Sequence, residues 1–272
     1  MATYVGRVLH SLLGELRVEP TAKQVSARSD GQTVVRTRKA LLVWEPGRVV
    51  PQYAVPEADL TGELVAAPDE ADAGEPAWVT LPDGTRILPP GPFAQHTAAG
   101  QPLTLRVGDI ELTGAAFRAE DPDLAGHVIL DFNAFDTWYD DDEPLVAHPR
   151  DPFTRIDIRP ASHQVRIEVG GTVLADSKRP VMLYETFLPV RTYLPRADVR
   201  MDLMAPSATR SECAYKGEAS YWAFEGRDVA WTYERPLVDS APITDLICFF
   251  DERVDVLVDG VAVPRAPSPW AD

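Results

Sequence analysis

The chain has few cysteines, few histidines and few basic residues for its 272 positions, and no apolar run long enough to cross a bilayer. Its two cysteines, Cys213 and Cys248, form neither a disulfide framework nor a metal-ligand spacing, which fits a reducing compartment. The five histidines, His10, His96, His127, His148 and His163, show no ligand spacing, so no metal site is expected. Lys and Arg number 26 against 42 Asp and Glu, a formal net charge of −16. Such a field repels phosphate polymers and anionic lipid, so neither a nucleic-acid nor a membrane partner is expected. Residues 1–16 lack the basic start, apolar core and small-residue cleavage site of a signal peptide, which makes a cytoplasmic protein the expectation. A glycine-rich phosphate loop is also missing. Asp198 and Asp202 lie four apart at a helix end, unlike the paired acids that hold divalent metal for a triphosphate. No cofactor is expected.

What is present favours strands. Proline occurs 25 times, which suits short strands and irregular loops better than long helices. Val165, Ile167 and Val169 alternate with Arg166 and Glu168 before Gly170-Gly171, and Val254, Val256 and Val258 alternate before Asp259-Gly260. Both patterns read as hairpin strands. At the amino terminus Val5, Val8, Leu9, Leu12, Leu13 and Leu16 recur at helical spacing and predict a short amphipathic helix packed on its own domain. Pro195 opens a second short helix through Asp198.

The chain also repeats itself. VEPTAKQVSARSDGQTVVRTRKALLVWE, Val18 to Glu45, lies without a gap on IRPASHQVRIEVGGTVLADSKRPVMLYE, Ile158 to Glu185, at a constant offset. Pro20 meets Pro160, Gly31 meets Gly171 and Glu45 meets Glu185; the same offset sets Tyr53 on Tyr193, and PEADL from Pro56 falls on PRADV from Pro195. HVILDFNAFDTWYDD from His127 tracks DLICFFDERVDVLVDG from Asp245. Copies of about a hundred residues are too long for a solenoid. The expectation is a mainly antiparallel β protein with a few short helices, built as two tandem homologous domains or pseudo-symmetric halves. Residues 1–150 form a diverged first copy, with an exposed insert between Leu60 and His96 that includes PDEADAGEP. Residues 151–272 form the second, Asp151 to Pro160 being the connection.

One window is dense in reactive groups. TRSECAYKGEASYW, Thr209 to Trp222, sets a thiol, an amine, two phenols, an indole and a carboxylate around Gly217. With Gly100 set on Gly217, the first copy offers His96 for Cys213, Ala99 for Lys216 and Leu105 for Trp222, so a site belongs chiefly to the second copy.

That window, with YLPRADVRMDL and ADSKRPVMLYET upstream and VAWTYERPL downstream, resembles the domain of unknown function 427 family, which also carries a nucleotidyltransferase-like label. The resemblance covers about Ile158 to Gly260, with the first copy as a diverged member, the arrangement of the tandem bacterial proteins of this family. It implies a β-rich domain with the Cys-x-Tyr-Lys-Gly-x-Ala-x-Tyr-Trp segment near a pocket, and no settled activity.

Among the candidate catalytic residues, Lys216 is a base or Schiff-base nucleophile if desolvated among aromatics, with Glu185 as its partner. Cys213 is a thiolate candidate that lacks a nearby histidine, and Cys248 reads as core. Arg196 is an anion contact, and Tyr215, Tyr221 and Trp222 are pocket walls, although Tyr221 and Trp222 face opposite sides of any strand. Trp231 reads as core filling, and Glu45, Asp59 and Asp198 as structural. The run Asp140 to Glu143 reads as a solvated turn. The expected function is a small-molecule site, either in an enzyme of the lyase, hydrolase or transferase kind using acid/base or amine chemistry, or in a non-catalytic binding or assembly module. In the second case the repeat supplies an interface, with a homodimer as the assembly.

Overall fold

The computed structural model describes residues 2–68, 76–81 and 84–265. The chain divides after Asp151 into two units. The fold is mainly antiparallel β with a few short helices, as the alternating patterns predict.

In the first unit the strands are β1 (Arg17–Pro20), β2 (Val25–Ser29), β3 (Gln32–Thr37), β4 (Leu41–Trp44), β5 (Gln52–Pro56), β6 (Glu63–Ala66), β7 (Val79–Thr80), β8 (Arg86–Ile87), β9 (Gly100–Val107), β10 (Ile110–Ala119), β11 (His127–Leu130), β12 (Thr137–Asp140) and β13 (Glu143–Pro144). Seven pair in the order β1-β4-β5-β11-β10-β9-β6, and four in the order β13-β12-β2-β3. The second unit has β14 (Ile156–Pro160), β15 (Val165–Val169), β16 (Thr172–Ser177), β17 (Val181–Glu185), β18 (Arg191–Leu194), β19 (Ala205–Cys213), β20 (Gly217–Phe224), β21 (Arg227–Thr232), β22 (Ile247–Phe249), β23 (Asp255–Val258) and β24 (Val261–Val263). Its sheets run β14-β17-β18-β22-β21-β20-β19 and β16-β15-β23-β24. With the separate β7–β8 pair of the first unit left aside, the two pairing schemes coincide strand for strand in chain order.

Tight turns set the register. Gly170 and Gly171, with φ of 56° and 80°, join β15 to β16, and Asp259 and Gly260, at 49° and 79°, join β23 to β24. Two successive positive φ values match the right-handed twist of the flanking strands, which is why these dipeptides mark hairpins. In the second unit the larger sheet packs one face on the smaller one through Val165, Ile167, Leu174, Leu194, Ala230, Ile247 and Phe249. Its other face carries a separate cluster containing Leu183, Tyr193, Trp231, Tyr233 and Cys248.

Four expectations are corrected. The amino-terminal helix, α1, runs only over Val5–Ser11 and buries none of its side chains; Tyr4, Val5, Val8, Leu9 and Leu12 are exposed. At two turns it is too short to hold an apolar stripe against a core. The connection ends earlier than Pro160, because β14 pairs with β17 from Ile156↔Glu185 to Pro160↔Val181. The insert is not all loop: β6 pairs with β9, and residues 69–75 of PDEADAGEP lie outside the described residues. Asp140 is no solvated turn residue, being buried and accepting hydrogen bonds from the Tyr53 hydroxyl at 2.6 Å and Lys23 Nζ at 2.5 Å.

The matched aspartates do the same structural work in both units. Asp59 accepts the Thr37 hydroxyl at 2.6 Å, and Asp198 accepts the Ser177 hydroxyl at 2.7 Å together with two hydrogen bonds from Arg179. Asp202 is held by Arg200. With both acids already bound to arginines, this pair is spoken for by the fold.

Candidate functional site

Cross-strand pairing determines which side chains meet. In an antiparallel sheet directly paired residues share a face, and so do residues two apart along a strand. The pairs Leu183↔Arg191, Val181↔Tyr193, Tyr193↔Cys248, Cys248↔Trp231, Trp231↔Tyr221, Ala219↔Ser211 and Gly217↔Cys213 therefore define one face. Glu185, two beyond Leu183, and Tyr233, two beyond Trp231, extend it. This is the face turned away from the four-stranded sheet.

Lys216 reaches that face from the β19–β20 turn. Its amide donates to the Cys213 carbonyl at 3.3 Å, its own carbonyl accepts the Leu237 amide at 3.1 Å, and the Ser240 hydroxyl donates to the Tyr215 carbonyl at 3.1 Å. Gly217 then resumes the strand with φ of 93°, a value that suits glycine. Held at both backbone ends, Lys216 is only 9% exposed, and its ammonium contacts the Glu185 carboxylate directly. An ammonium in such a place requires a counter-charge, and Glu185 supplies it.

Around the pair stand groups that donate, accept or stack. The Trp231 indole N–H donates to the Tyr193 hydroxyl at 3.2 Å, and the Phe250 ring lies 4.6 Å from that of Trp231. Tyr221 shares a hydrogen bond with Ser211 at 2.6 Å and stacks on Phe250. Arg191 lies over Trp231 and binds Glu252 through two hydrogen bonds, at 3.0 and 2.8 Å. Burial raises the Tyr193 phenol well above its ordinary range, with Cys248 and Tyr233 adding to the effect. The Tyr233 phenol is raised too, first by burial and then by Cys213, Tyr221 and Glu185. Both phenols are therefore neutral donors near neutral pH. Burial likewise pushes the Cys248 thiol up, so it stays protonated core. Asp251, beside Arg191, is raised by burial to about 6.

The predicted residues separate into groups. Lys216 and Glu185 meet; Cys213 and Tyr221 share their face. Tyr215 is buried at the turn beside Lys216. Trp222 and Arg196 are not brought to this place: Trp222 packs with the core between the two sheets, and Arg196 stacks over its ring at 4.5 Å. Trp231, read as core, is buried but stands on the site face. Sequence reasoning passed over Arg191, Tyr193 and Tyr233, whose alternation along β18 and just past the end of β21 would have placed them once the register was known.

The same registers in the first unit put Gln52 where Arg191 stands, Ala54 for Tyr193, Ile129 for Cys248, Phe117 for Trp231 and Pro102 for Tyr221. Tyr53 therefore does not correspond to Tyr193; it packs in the core between the sheets. Gly100 falls on Ala219, not on Gly217. Glu45, fully buried, is bound by the His96 ring at 2.9 Å and by the amides of Thr97 and Ala98 at 2.9 and 3.1 Å, with Arg48 3.5 Å away. Burial alone would raise this carboxyl, but His96, the Ala98 amide and Arg48 hold it below the ordinary carboxylate range. His96 in turn stacks on Phe117 at 3.8 Å. A buried Glu45 demands a partner, and that was the one available signal for His96.

Among the described residues no group of three or more His, Cys, Asp or Glu side chains is placed to hold a metal ion, and no helix is long and apolar enough to cross a membrane. The fold and site define a two-sheet β domain with an ion pair on its outward face. Residues 157–260, within the second unit, match the family model NTP_transf_9, described as a domain of unknown function (DUF427). A search of curated proteins found no match.

Proposed function

We propose that the second unit binds a small molecule on the outward face of its seven-stranded sheet and that Lys216 and Glu185 exchange a proton with it. The observation that supports this is the enclosed ammonium–carboxylate contact set among neutral phenols. Such a pair can give a proton from Lys216 and take one at Glu185 without leaving a lone charge behind. Schiff-base chemistry at Lys216 would first require its proton to pass to Glu185. Cys213 and Tyr221 lie on the same face as neighbours of the reacting atoms, in an enzyme of the lyase, hydrolase or transferase kind. The two units are, in this proposal, copies of one ancestral domain, residues 1–150 and 151–272, of which the first keeps the carboxylate but has lost the phenols.

Reductive alkylation with acetaldehyde and cyanoborohydride tests the reading, because Lys39 and Lys178 are exposed and serve as references on the same chain. Lys216 is expected to be alkylated in the folded protein, and faster in Glu185→Gln, where no ion pair holds the amine. Protection of Lys216 in both proteins until denaturant is added would leave it as a staple of the hairpin and end the proposal.

An assembly role rests on a separate observation, the exposed stripe Tyr4, Val5, Val8, Leu9 and Leu12 on and around α1. If it joins two chains into a homodimer, Val5→Glu with Leu9→Glu lowers the sedimenting mass to that of one chain.

A further inference from the structure

The turn that follows each glutamate has the same geometry in both units and different surroundings. The Arg48 amide donates to the Glu45 carbonyl at 2.9 Å, and the Leu188 amide to the Glu185 carbonyl at 3.1 Å. The second residue of each turn has positive φ, 83° at Gly47 and 63° at Phe187. In the first unit this turn is roofed by its own chain. Gly47 donates to the Leu13 carbonyl at 2.6 Å and accepts from the Leu88 amide at 2.8 Å, a β-carbon on Gly47 would strike the Trp78 ring, and Arg48 has no exposed surface. In the second unit Phe187 is 67% exposed, Leu188 48% and Val190 41%. A phenylalanine thus holds a backbone conformation that its β-carbon disfavours while leaving its ring in water, within the turn and two residues after Glu185. Strain kept without burial in return points to a contact made with something else.

Resting on the small-molecule reading above, we infer that Phe187, Leu188 and Val190 form an apolar lip to the Lys216–Glu185 site. The ligand class is then an amphipathic small molecule. Its polar end is no anion, and a carbonyl, amide or hydroxyl suits it, because the site already balances Lys216 with Glu185 and Arg191 with Glu252, and Asp251 adds negative charge when ionised. A phosphate would meet no free cation among these groups. Its body is apolar and lies along the lip.

A homologous series of straight-chain aldehydes, acetaldehyde, butanal and hexanal, read by cyanoborohydride trapping at Lys216 relative to Lys39 and Lys178, tests this. A fully buried methylene is worth about fourfold, so the Lys216 ratio is expected to rise on the order of two- to fourfold per methylene that reaches the lip. In Phe187→Ser with Leu188→Ser the rise with chain length is expected to vanish. Both residues are exposed, which favours retention of the fold; if that double variant does not fold, Val190→Ser alone is expected to reduce the slope. A ratio flat with chain length, or a slope unchanged in the variants, overturns the lip while the proton-exchange site stands. Failure of acetaldehyde itself to reach Lys216 in both the folded chain and folded Glu185→Gln overturns both.

Discussion

The Trp231 indole N–H and the Tyr193 hydroxyl, 3.2 Å apart and both buried, lock the centre of the outward face of the second unit. Tyr193→Phe removes the acceptor and leaves a buried donor unpaired. The expected loss is about 1–3 kcal/mol of stability, read as a lower urea midpoint, with a shifted tryptophan emission.

Lys216 and Glu185 form a largely enclosed ion pair, so single and double substitutions should not add. Lys216→Met or Glu185→Gln alone strands a charge and is expected to cost roughly 3 kcal/mol. The double variant is expected to recover most of that loss, and a denaturation cycle over the four proteins measures the coupling. Additive losses would show that the two groups do not depend on each other.

Glu45 and Asp251 are expected to respond to acid in opposite directions. Glu45 is held below its ordinary range in the folded state, so its contribution is present above that range and lost as pH falls through it. Glu45→Gln should remove this acid sensitivity and speed amide exchange at Thr97 and Ala98. Asp251 titrates at about 6 in the folded state, above its ordinary 3.8. The folded form then binds the proton more tightly, and stability falls as pH rises between those values. Because the Asp251 side chain is 32% exposed, the effect is expected to be no more than about 1 kcal/mol, and Asp251→Asn should flatten it.

Phe187→Gly should stabilise the protein. Glycine accepts positive φ freely, as Gly47 does at the matching turn, so relief of about 1 kcal/mol is expected as a raised melting temperature. The same substitution should weaken the chain-length dependence of trapping at Lys216. Stability gained where selectivity is lost would mark Phe187 as a residue kept for its contacts with ligand.

Strands and hairpins were legible because their signals are local: alternation in Val165 to Val169 and the Gly170-Gly171 turn need no knowledge of the remote chain. The Lys216–Glu185 pair was legible because an ammonium and a carboxylate stood in otherwise apolar or aromatic surroundings. What failed was register. Gln52 follows Glu45 by seven positions, whereas Arg191 follows Glu185 by six. A one-residue difference turns every later side chain of the strand to the opposite face, so matching letters at Tyr53 and Tyr193 concealed opposite orientations. Trp222 was grouped with Lys216 by nearness in sequence and Arg196 for its charge, and neither says which side of a sheet a residue occupies.

That single-position difference in the connection between the paired strands has an evolutionary corollary. Dropping one codon after the glutamate would carry an aromatic ring from the interior of such a domain to its outer wall in one event, with no change in amino-acid composition beyond the missing residue. New chemistry on this scaffold can therefore arise from a deletion, and relatives that differ by one residue at this bend should be compared by strand pairing before any of their residues are declared equivalent.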